Sequence, residues 1–225
     1  MGLRTALGLK AKKKQVVEVE VVPEAPPDIY IRPAIYAEPE DINIAFGARF
    51  GGRADIPKLL APGSVGVELG VAAGGFSSQL LRSDAFGHLY SIDRWAGDRD
   101  HNVWEYKAAI RALQPYRDRN SCLRMTFDEA LDLFPDCFFD LVYIDGYAHT
   151  GQDDGKTLTE WWPKLKWGGV FAGDDYSQSW PKTMRAVDEF MYRNNLKCYT
   201  VPKDEKHEFE SWLTIKPPQN EPLGQ

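Results

Sequence analysis

Short apolar runs alternate with stretches of helical spacing along the chain from residue 63 onward. Most runs have the length of a buried strand and no polar interruption, which is typical of strands covered on both faces. Between them, apolar residues recur every three or four positions, which predicts helices with one buried face. The predicted strands span 65–69, 88–92, 121–125, 141–144, 169–172, 198–201 and 212–215, and the predicted helices span 76–82, 103–113, 128–134, 158–165 and 184–191. This alternation predicts an α/β fold with a doubly wound, mainly parallel sheet of seven strands.

The chain before residue 63 lacks this regularity. Five prolines between positions 23 and 39 prevent helix and interrupt sheet. We therefore expect residues 1–40 to form an extended or flexible arm that crosses onto a partner subunit of a homo-oligomer or covers its own active site. Residues 41–62 predict a lead-in of two short helices, near 41–50 and 55–60, separated by two glycines. Residues 63–216 would form the main domain and 217–225 a flexible tail.

Charge divides the chain into a basic start and an acidic body. The 225 residues carry a net charge of −6, although the first fourteen hold five basic side chains and no acid. This start is either a solvated leader or a segment that touches an anionic membrane or an acidic partner. The acidic body lacks the basic face that nucleic acids require, which argues against nucleic-acid binding. Three widely spaced cysteines and no long apolar segment predict a cytoplasmic protein.

Acidic residues stand at the carboxyl ends of four predicted strands. Ligands of a parallel α/β sheet bind beyond these ends, so we expect the acids to border one site. They are Glu68, Asp93, Asp145 and the adjacent pair Asp174 and Asp175.

A glycine-rich turn follows the first of these strands. Its spacing, Glu68-x-Gly70-x-x-x-Gly74, differs from the Gly-x-Gly-x-x-Gly of dinucleotide enzymes, which counts against a nicotinamide-dependent dehydrogenase. The glycines permit close approach of a ligand to the next helix. A carboxylate at this strand end suits a ligand with a cationic amino-acid end, and Asp93 at the second strand end suits ribose hydroxyls.

Five segments of the chain together resemble the class I S-adenosylmethionine-dependent methyltransferases. Within them the chain is similar to the branch that methylates sugars and small natural products with the help of a divalent cation. This resemblance implies a Rossmann-like methyltransferase fold whose last strand is antiparallel. The segments are VELGVAAGGFS (67–77), YSIDRW (90–95), FDLVYIDGYAHT (139–150), WWPKLKWGGVFAGDDY (161–176) and AVDEF (186–190).

The resemblance also implies how the cofactor S-adenosylmethionine would be held. Gly70 and Gly74 would let the backbone bind the methionine carboxylate, with Glu68 near its ammonium group. Asp93 would bind the ribose hydroxyls. The remaining implied contacts are Arg94 and Trp95 beside the nucleoside, Met125 and Thr126 beside the adenine, and Asp145. The alternative is that this turn is only a tight strand-to-helix connection and Asp93 a helix cap.

Three carboxylates, those of Asp145, Asp174 and Asp175, are expected at neighbouring strand ends. Crowded together they would repel one another unless something positive lies between them. A divalent cation, most simply Mg²⁺, satisfies this need with oxygen ligands, and the resemblance implies a metal at these positions. The alternative is that the Asp174–Asp175 pair only caps the following helix.

The expected chemistry is methyl transfer to a hydroxyl of a sugar or small natural product. Metal coordination would polarise that hydroxyl, with Asp145 as a catalytic ligand. His149 is the best candidate for the base. The family commonly has a histidine three residues after the aspartate, whereas His149 is four residues away. A metal-independent O- or N-methyltransferase and a catalytically silent binding module on the same fold stay open.

Overall fold

A single sheet forms the centre of the computed structural model, which describes residues 29–97, 101–205 and 207–218. The basic segment 1–14, the rest of the arm up to residue 28 and the end of the tail lie outside the described residues. The strands are β1 (Glu40–Asp41), β2 (Ser64–Leu69), β3 (Phe86–Asp93), β4 (Asn120–Arg124), β5 (Phe139–Ile144), β6 (Leu165–Gly173), β7 (Tyr199–Val201) and β8 (Ser211–Ile215).

Helices connect these strands in the expected alternation. The α-helices are α1 (Ile42–Phe46), α2 (Gly75–Leu81), α3 (Val103–Leu113), α4 (Phe127–Leu131), α5 (Gly151–Asp154), α6 (Lys156–Trp161) and α7 (Pro181–Arg193), and 3-10 helices span Arg53–Leu59, Gln114–Tyr116 and Ala148–Thr150. The short α5 is a left-handed turn, since Gln152 and Asp153 both have φ near +57° (56° and 57°). In the part of the chain that the structure describes, no helix is long and apolar enough to cross a membrane.

The strand order is β1-β7-β8-β6-β5-β2-β3-β4, with β8 antiparallel to both of its neighbours. The doubly wound, mainly parallel sheet and its antiparallel last strand are thus confirmed. Among the described residues the sheet has eight strands instead of seven. The extra strand, β1, pairs parallel with β7 through the backbone of two residues, which is too short to leave a periodic pattern in the sequence.

Several predicted boundaries were wrong for local reasons. The predicted helix 158–165 ends at Trp161, and Leu165 already begins β6. The predicted helix 41–50 stops at Phe46, because Gly47 adopts a left-handed conformation. The predicted second lead-in helix is a 3-10 helix with Pro57 inside it, and proline removes a donor that a regular α-helix would need.

Both faces of the sheet bury apolar side chains, as continuous apolar strands require. One layer packs α2 and α3 against the sheet and includes Leu80, Trp95 and Tyr143. The other packs α4, α6 and α7 and includes Trp161 and Phe171. Two covered faces leave the strand ends as the place where polar side chains can meet.

The described part of the predicted arm lies against α7. Arg32 donates to the buried Asp188 through Nε at 2.8 Å, and Tyr176 donates its hydroxyl to the same carboxylate at 2.6 Å. The main chain of Tyr30 accepts a hydrogen bond from the Gln178 amide at 3.1 Å. These contacts fix residues 29–40 beside the segment that follows Asp174 and Asp175.

Candidate active site

A cleft of about 760 Å³ opens at the carboxyl ends of β2, β3, β5 and β6. Its volume is in the range of small-molecule and cofactor sites. Most of the predicted site residues line it: Glu68, Gly70, Asp93, Arg94, Trp95, Thr126, Asp145, His149 and Asp175. Three of the predicted residues do not line the cleft, namely Gly74, Met125 and Asp174.

The glycine-rich turn after β2 touches the end of β5. Gly70 has φ of +95°, and a Cβ there would lie 2.6 Å from the carbonyl carbon of Asp145 and closer still to its oxygen. Only glycine fits both the conformation and the space. Gly74, at the N-terminal end of α2, packs against Ala109 of α3. Gly70 thus fixes the turn against the end of β5, and Gly74 fixes the start of α2 against α3.

Asp93 ties the glycine-rich turn to the end of β3. Its carboxylate accepts hydrogen bonds from the backbone N–H groups of Val71 at 2.9 Å, Ala72 at 3.0 Å and Trp95 at 3.0 Å. The indole of the buried Trp95 donates to the carbonyl oxygen of Ala72 at 2.8 Å. Asp93 therefore has a structural task in the turn, and its predicted binding of ribose hydroxyls would use the remaining acceptor capacity of the carboxylate.

Glu68 is buried below the turn and borders the cleft. It accepts a hydrogen bond from the hydroxyl of Ser77, whose oxygen also lies 2.9 Å from that of Ser91. Burial raises the pKa of Glu68 to about 8, although the Ser77 hydrogen bond favours the ionised form. A cationic group bound beside Glu68 would restore its charge, which is what the predicted contact with the methionine ammonium requires.

The predicted adenine contacts lie at the end of β4 but face different ways. Thr126 lines the cleft and caps α4, where its side chain and that of Glu129 form a capping box. The Met125 N–H donates to the Asp93 carbonyl oxygen at 3.1 Å, and its side chain packs on the apolar layer. Thr126 can therefore reach a bound molecule directly, whereas Met125 contributes packing.

A guanidinium group lies between two of the three clustered carboxylates at the other end of the cleft. Nη1 of Arg53 is 2.8 Å from Oδ2 of Asp145 and 2.5 Å from Oδ2 of Asp174. Arg53 begins the 3-10 helix of the lead-in, a region in which the sequence showed no readable chemistry. The positive charge that we expected between these carboxylates is thus the side chain of Arg53.

Asp174 has further partners on its other oxygen. Its Oδ1 lies 2.7 Å from Nε2 of His207 and accepts a hydrogen bond from the Ser211 hydroxyl at 3.0 Å. The hydrogen bond to Asp174 raises the pKa of His207. His207, to which the sequence assigned no role, thus belongs to this cluster.

Asp175 borders the cleft beside this cluster. Its backbone is left-handed, with φ of +60°, and no described residue is hydrogen-bonded to its carboxylate. Burial, and then repulsion by neighbouring carboxylates, raises the pKa values of Asp145 and Asp175 to about 7. Asp145 and Asp175 are therefore candidates for direct contact with an acceptor molecule.

The three carboxylates do not fit a shared divalent cation in this arrangement. The space between Asp145 and Asp174 holds the Arg53 guanidinium, and both oxygens of Asp174 already accept hydrogen bonds. Within residues 29–97, 101–205 and 207–218, no three acidic, histidine or cysteine side chains form a group that could hold a metal ion. The residues present therefore do not fit a divalent cation shared by these three carboxylates.

His149 lies in the 3-10 helix after β5 and lines the cleft. The preceding Tyr147 has φ of +60°, and the Thr183 hydroxyl of α7 holds the carbonyl oxygen of Ala148 at 3.0 Å. The structure thus places the predicted base on the same wall as Asp145. Trp180 and Phe76 complete this end of the cleft.

The sequence was compared with models of known protein families. Residues 66–176 match a family model described as a methyltransferase domain. This match confirms the resemblance to the class I S-adenosylmethionine-dependent methyltransferases. The uncharacterized protein y4gI of Sinorhizobium fredii is 30% identical over 93 residues, which cover 40% of this chain. The match spans only 10% of that relative's length.

Solved structures share the fold of the methyltransferase domain. A Klebsiella pneumoniae protein proposed as an O-methyltransferase is 16% identical, with a TM-score of 0.53 over 68% of this chain and 73% of that one. Precorrin-6y C5,15-methyltransferase of Geobacter metallireducens is 15% identical, with a TM-score of 0.53 over 72% and 84%. Spermidine synthase of Thermotoga maritima is 16% identical, with a TM-score of 0.52 over 73% and 60%. Because these proteins differ in reaction, the shared fold alone does not define the acceptor.

Proposed function

We propose that the protein transfers a methyl group from S-adenosylmethionine to a hydroxyl group of a small molecule such as a sugar or natural product. The observation that carries this proposal is one continuous cleft with two chemically different ends. Glu68, Gly70 and Asp93 border one end, and Asp145, His149 and Asp175 border the other. The methyltransferase domain supplies the cofactor class, and the second end supplies proton acceptors.

The cofactor end suits the three parts of S-adenosylmethionine. Gly70 lines the cleft where the methionine portion would approach the turn, and the buried Glu68 offers a carboxylate to its ammonium group. Asp93 and Thr126 stand where the ribose and adenine would follow. Bound S-adenosylmethionine supplies a methyl group already activated on a sulfonium.

The remaining tasks belong to the side chains at the acceptor end. They must hold the acceptor oxygen in line with the methyl group and remove its proton. His149 takes the proton while the oxygen–methyl bond forms and the methyl–sulfur bond breaks. Asp145 and Asp175 accept hydrogen bonds from the acceptor and orient it. Trp180 and Phe76 offer aromatic surfaces for a sugar ring or another flat molecule.

Two observations favour a small acceptor over a nucleic acid. The net charge is −6, and carboxylates border the acceptor end of the cleft. Phosphate backbones require basic side chains at such positions. The same carboxylates would also attract a protonated amine, so an N-directed reaction is the second candidate.

The first test is a calorimetric titration of the wild-type protein with S-adenosylhomocysteine. We expect saturable binding, with loss of affinity in Asp93→Ala and unchanged affinity in His149→Gln. An acceptor screen with labelled S-adenosylmethionine follows, in which alcohols and amines are compared. The absence of S-adenosylhomocysteine binding to the wild-type protein would refute the proposed function, and methylation of amines alone would select the second candidate.

A further inference from the structure

We propose that Arg53 is a built-in cation that takes the position of a divalent metal and holds the carboxylates of Asp145 and Asp174 in place. Arg53 is then a positioning residue for methyl transfer that needs no bound metal. The role of Arg53 in methyl transfer rests on the proposed function. Whether Arg53 occupies the position of a metal ion can be tested separately.

The guanidinium is enclosed on several sides. Its charged edge meets Asp145 and Asp174, and its carbon lies 4.3 Å from the centre of the Phe76 ring. Phe76 is itself buried and packs on Tyr143 with ring centres 4.5 Å apart. An arginine held by two carboxylates and an aromatic face is fixed in orientation, unlike a surface ion pair.

The partners of Asp174 leave little room for competition by a metal. One oxygen accepts from Arg53, and the other faces His207 and Ser211. A divalent cation bound to Asp174 would have to displace the guanidinium and would then lie beside His207. Breaking a buried charge pair in this way is costly, because the displaced groups lose their partners.

Arg53 reaches the cluster because the lead-in is anchored on both sides. Within the 3-10 helix Arg53–Leu59, Ile56 is fully buried in the apolar layer. At Gly52, a Cβ would collide with the carboxylate of Asp204 in the β7–β8 loop. The lead-in therefore lies directly against the loop that carries His207, and the two segments meet over Asp174.

Both segments lie outside residues 66–176, which match the methyltransferase family model. The family segment provides the acids, whereas the flanking chain provides the cation and the histidine. This division explains how a chain that carries the acids of a metal-dependent branch can dispense with the metal. It also leaves Asp175 and the cleft-facing side of Asp145 for the acceptor.

The test measures Mn²⁺ binding by electron paramagnetic resonance in the wild-type protein, Arg53→Met, Asp174→Asn, Arg53→Met/Asp174→Asn and Arg49→Met. Methionine retains much of the length and apolar contact of arginine but lacks the charge. Arg49 is an exposed arginine of the same lead-in and serves as the matched control. S-adenosylhomocysteine titration of each variant reports whether the cofactor end is intact.

We expect no Mn²⁺ at this position in the wild-type protein or in Arg49→Met. Removal of the guanidinium in Arg53→Met should create a Mn²⁺ site, and the added Asp174→Asn substitution should abolish it, with S-adenosylhomocysteine affinity unchanged throughout. A wild-type protein that binds Mn²⁺ and loses it on Asp174→Asn would overturn the proposal, as would a folded Arg53→Met that gains no site. If Arg53→Met does not fold, the wild-type and Asp174→Asn measurements still decide. Failure of the proposed function would instead show as absent S-adenosylhomocysteine binding in the wild type.

Discussion

The two ends of the cleft are assembled in different ways. Most of the cofactor end comes from consecutive elements, β2, the glycine-rich turn, α2 and β3, within residues 64–93, and Thr126 completes it. The acceptor end draws on the lead-in, the ends of β5 and β6, and the β7–β8 loop, so its residues come from positions 53 to 207. A site made from neighbouring residues is visible as a motif, whereas a site made by long-range packing is visible only in the fold.

This comparison predicts that changes at the cofactor end disturb both ends, because the turn touches β5. The largest effect is expected for Gly70→Ala, which combines a disfavoured φ of +95° with a collision against the Asp145 backbone. We expect a loss of about 4 kcal/mol in the free energy of unfolding and no S-adenosylhomocysteine binding. Urea unfolding and calorimetry measure the two quantities.

Gly75→Ala is the matched control for this change. Gly75 begins α2, and a Cβ placed there would have no atom within 4 Å apart from those of the adjacent residues and of its own helix backbone. Its stability should be unchanged or slightly higher, because alanine is the better helix former. Equal stability of the two variants would show that the contact between the turn and β5 is unimportant.

The next effect in size is a pH dependence that comes from Glu68. Its pKa is raised from 4.5 to about 8 in the folded protein, so the folded state binds an additional proton between these values. The contribution of Glu68 to stability is therefore complete below about pH 4.5 and is lost as the pH rises through 8. Glu68→Gln should remove this loss, which amounts to about 3 kcal/mol at pH 7.

The measurement is the difference in unfolding free energy between wild type and Glu68→Gln at a series of pH values. Asp145, Asp175 and His207 titrate in both proteins, so their contributions cancel to first order. A difference that does not change between pH 5 and 8 would contradict the assigned protonation of Glu68.

A smaller effect is expected for Asp93→Asn. The amide retains one acceptor oxygen but brings an N–H₂ group against the backbone donors of Val71, Ala72 and Trp95. We expect a loss of about 2 kcal/mol in stability together with weaker S-adenosylhomocysteine binding. Thermal unfolding with and without S-adenosylhomocysteine separates the two. Undiminished stability would mean that the carboxylate does not support the turn.

The smallest effect is expected for His207→Asn at the acceptor end. The shorter side chain loses the hydrogen bond to Asp174, while Arg53 and Ser211 still contact that carboxylate. Stability should fall by about 1 kcal/mol and S-adenosylhomocysteine affinity should not change, whereas methyl transfer should be slower. The same measurements on His101→Asn, which changes an exposed histidine that also lines the cleft, serve as the control. Weakened cofactor binding in His207→Asn would show that the two ends are coupled through this cluster.

The sequence predicted the cofactor end of the fold better than the acceptor end. The strand ends at Asp93 and Asp145 and the helix Val103–Leu113 follow from local apolar patterns. The need for a positive charge near Asp145 and Asp174 also followed from electrostatics, but its source did not. Arg53 carries no local signal, because an arginine in a glycine-flanked segment is ordinary until packing places it beside two carboxylates.

Two other features escaped prediction for similar reasons. His207 lies in a loop of mixed polar residues and becomes part of the site only because β8 is antiparallel and returns it to the end of β6. The left-handed turn at Gln152 and Asp153 places ordinary residues in an uncommon conformation. Such a conformation is imposed by packing against α7 and not by the residues' own preferences.

The two-residue strand β1 has a consequence for the behaviour of the protein in solution. By pairing with β7 through Glu40 and Asp41, it covers hydrogen-bonding groups along that border of the sheet with a short, acidic segment. Short and charged borders resist pairing with strands of other molecules. A version of the protein that begins after residue 41 would leave β7 uncovered. We expect such a protein to self-associate at high concentration.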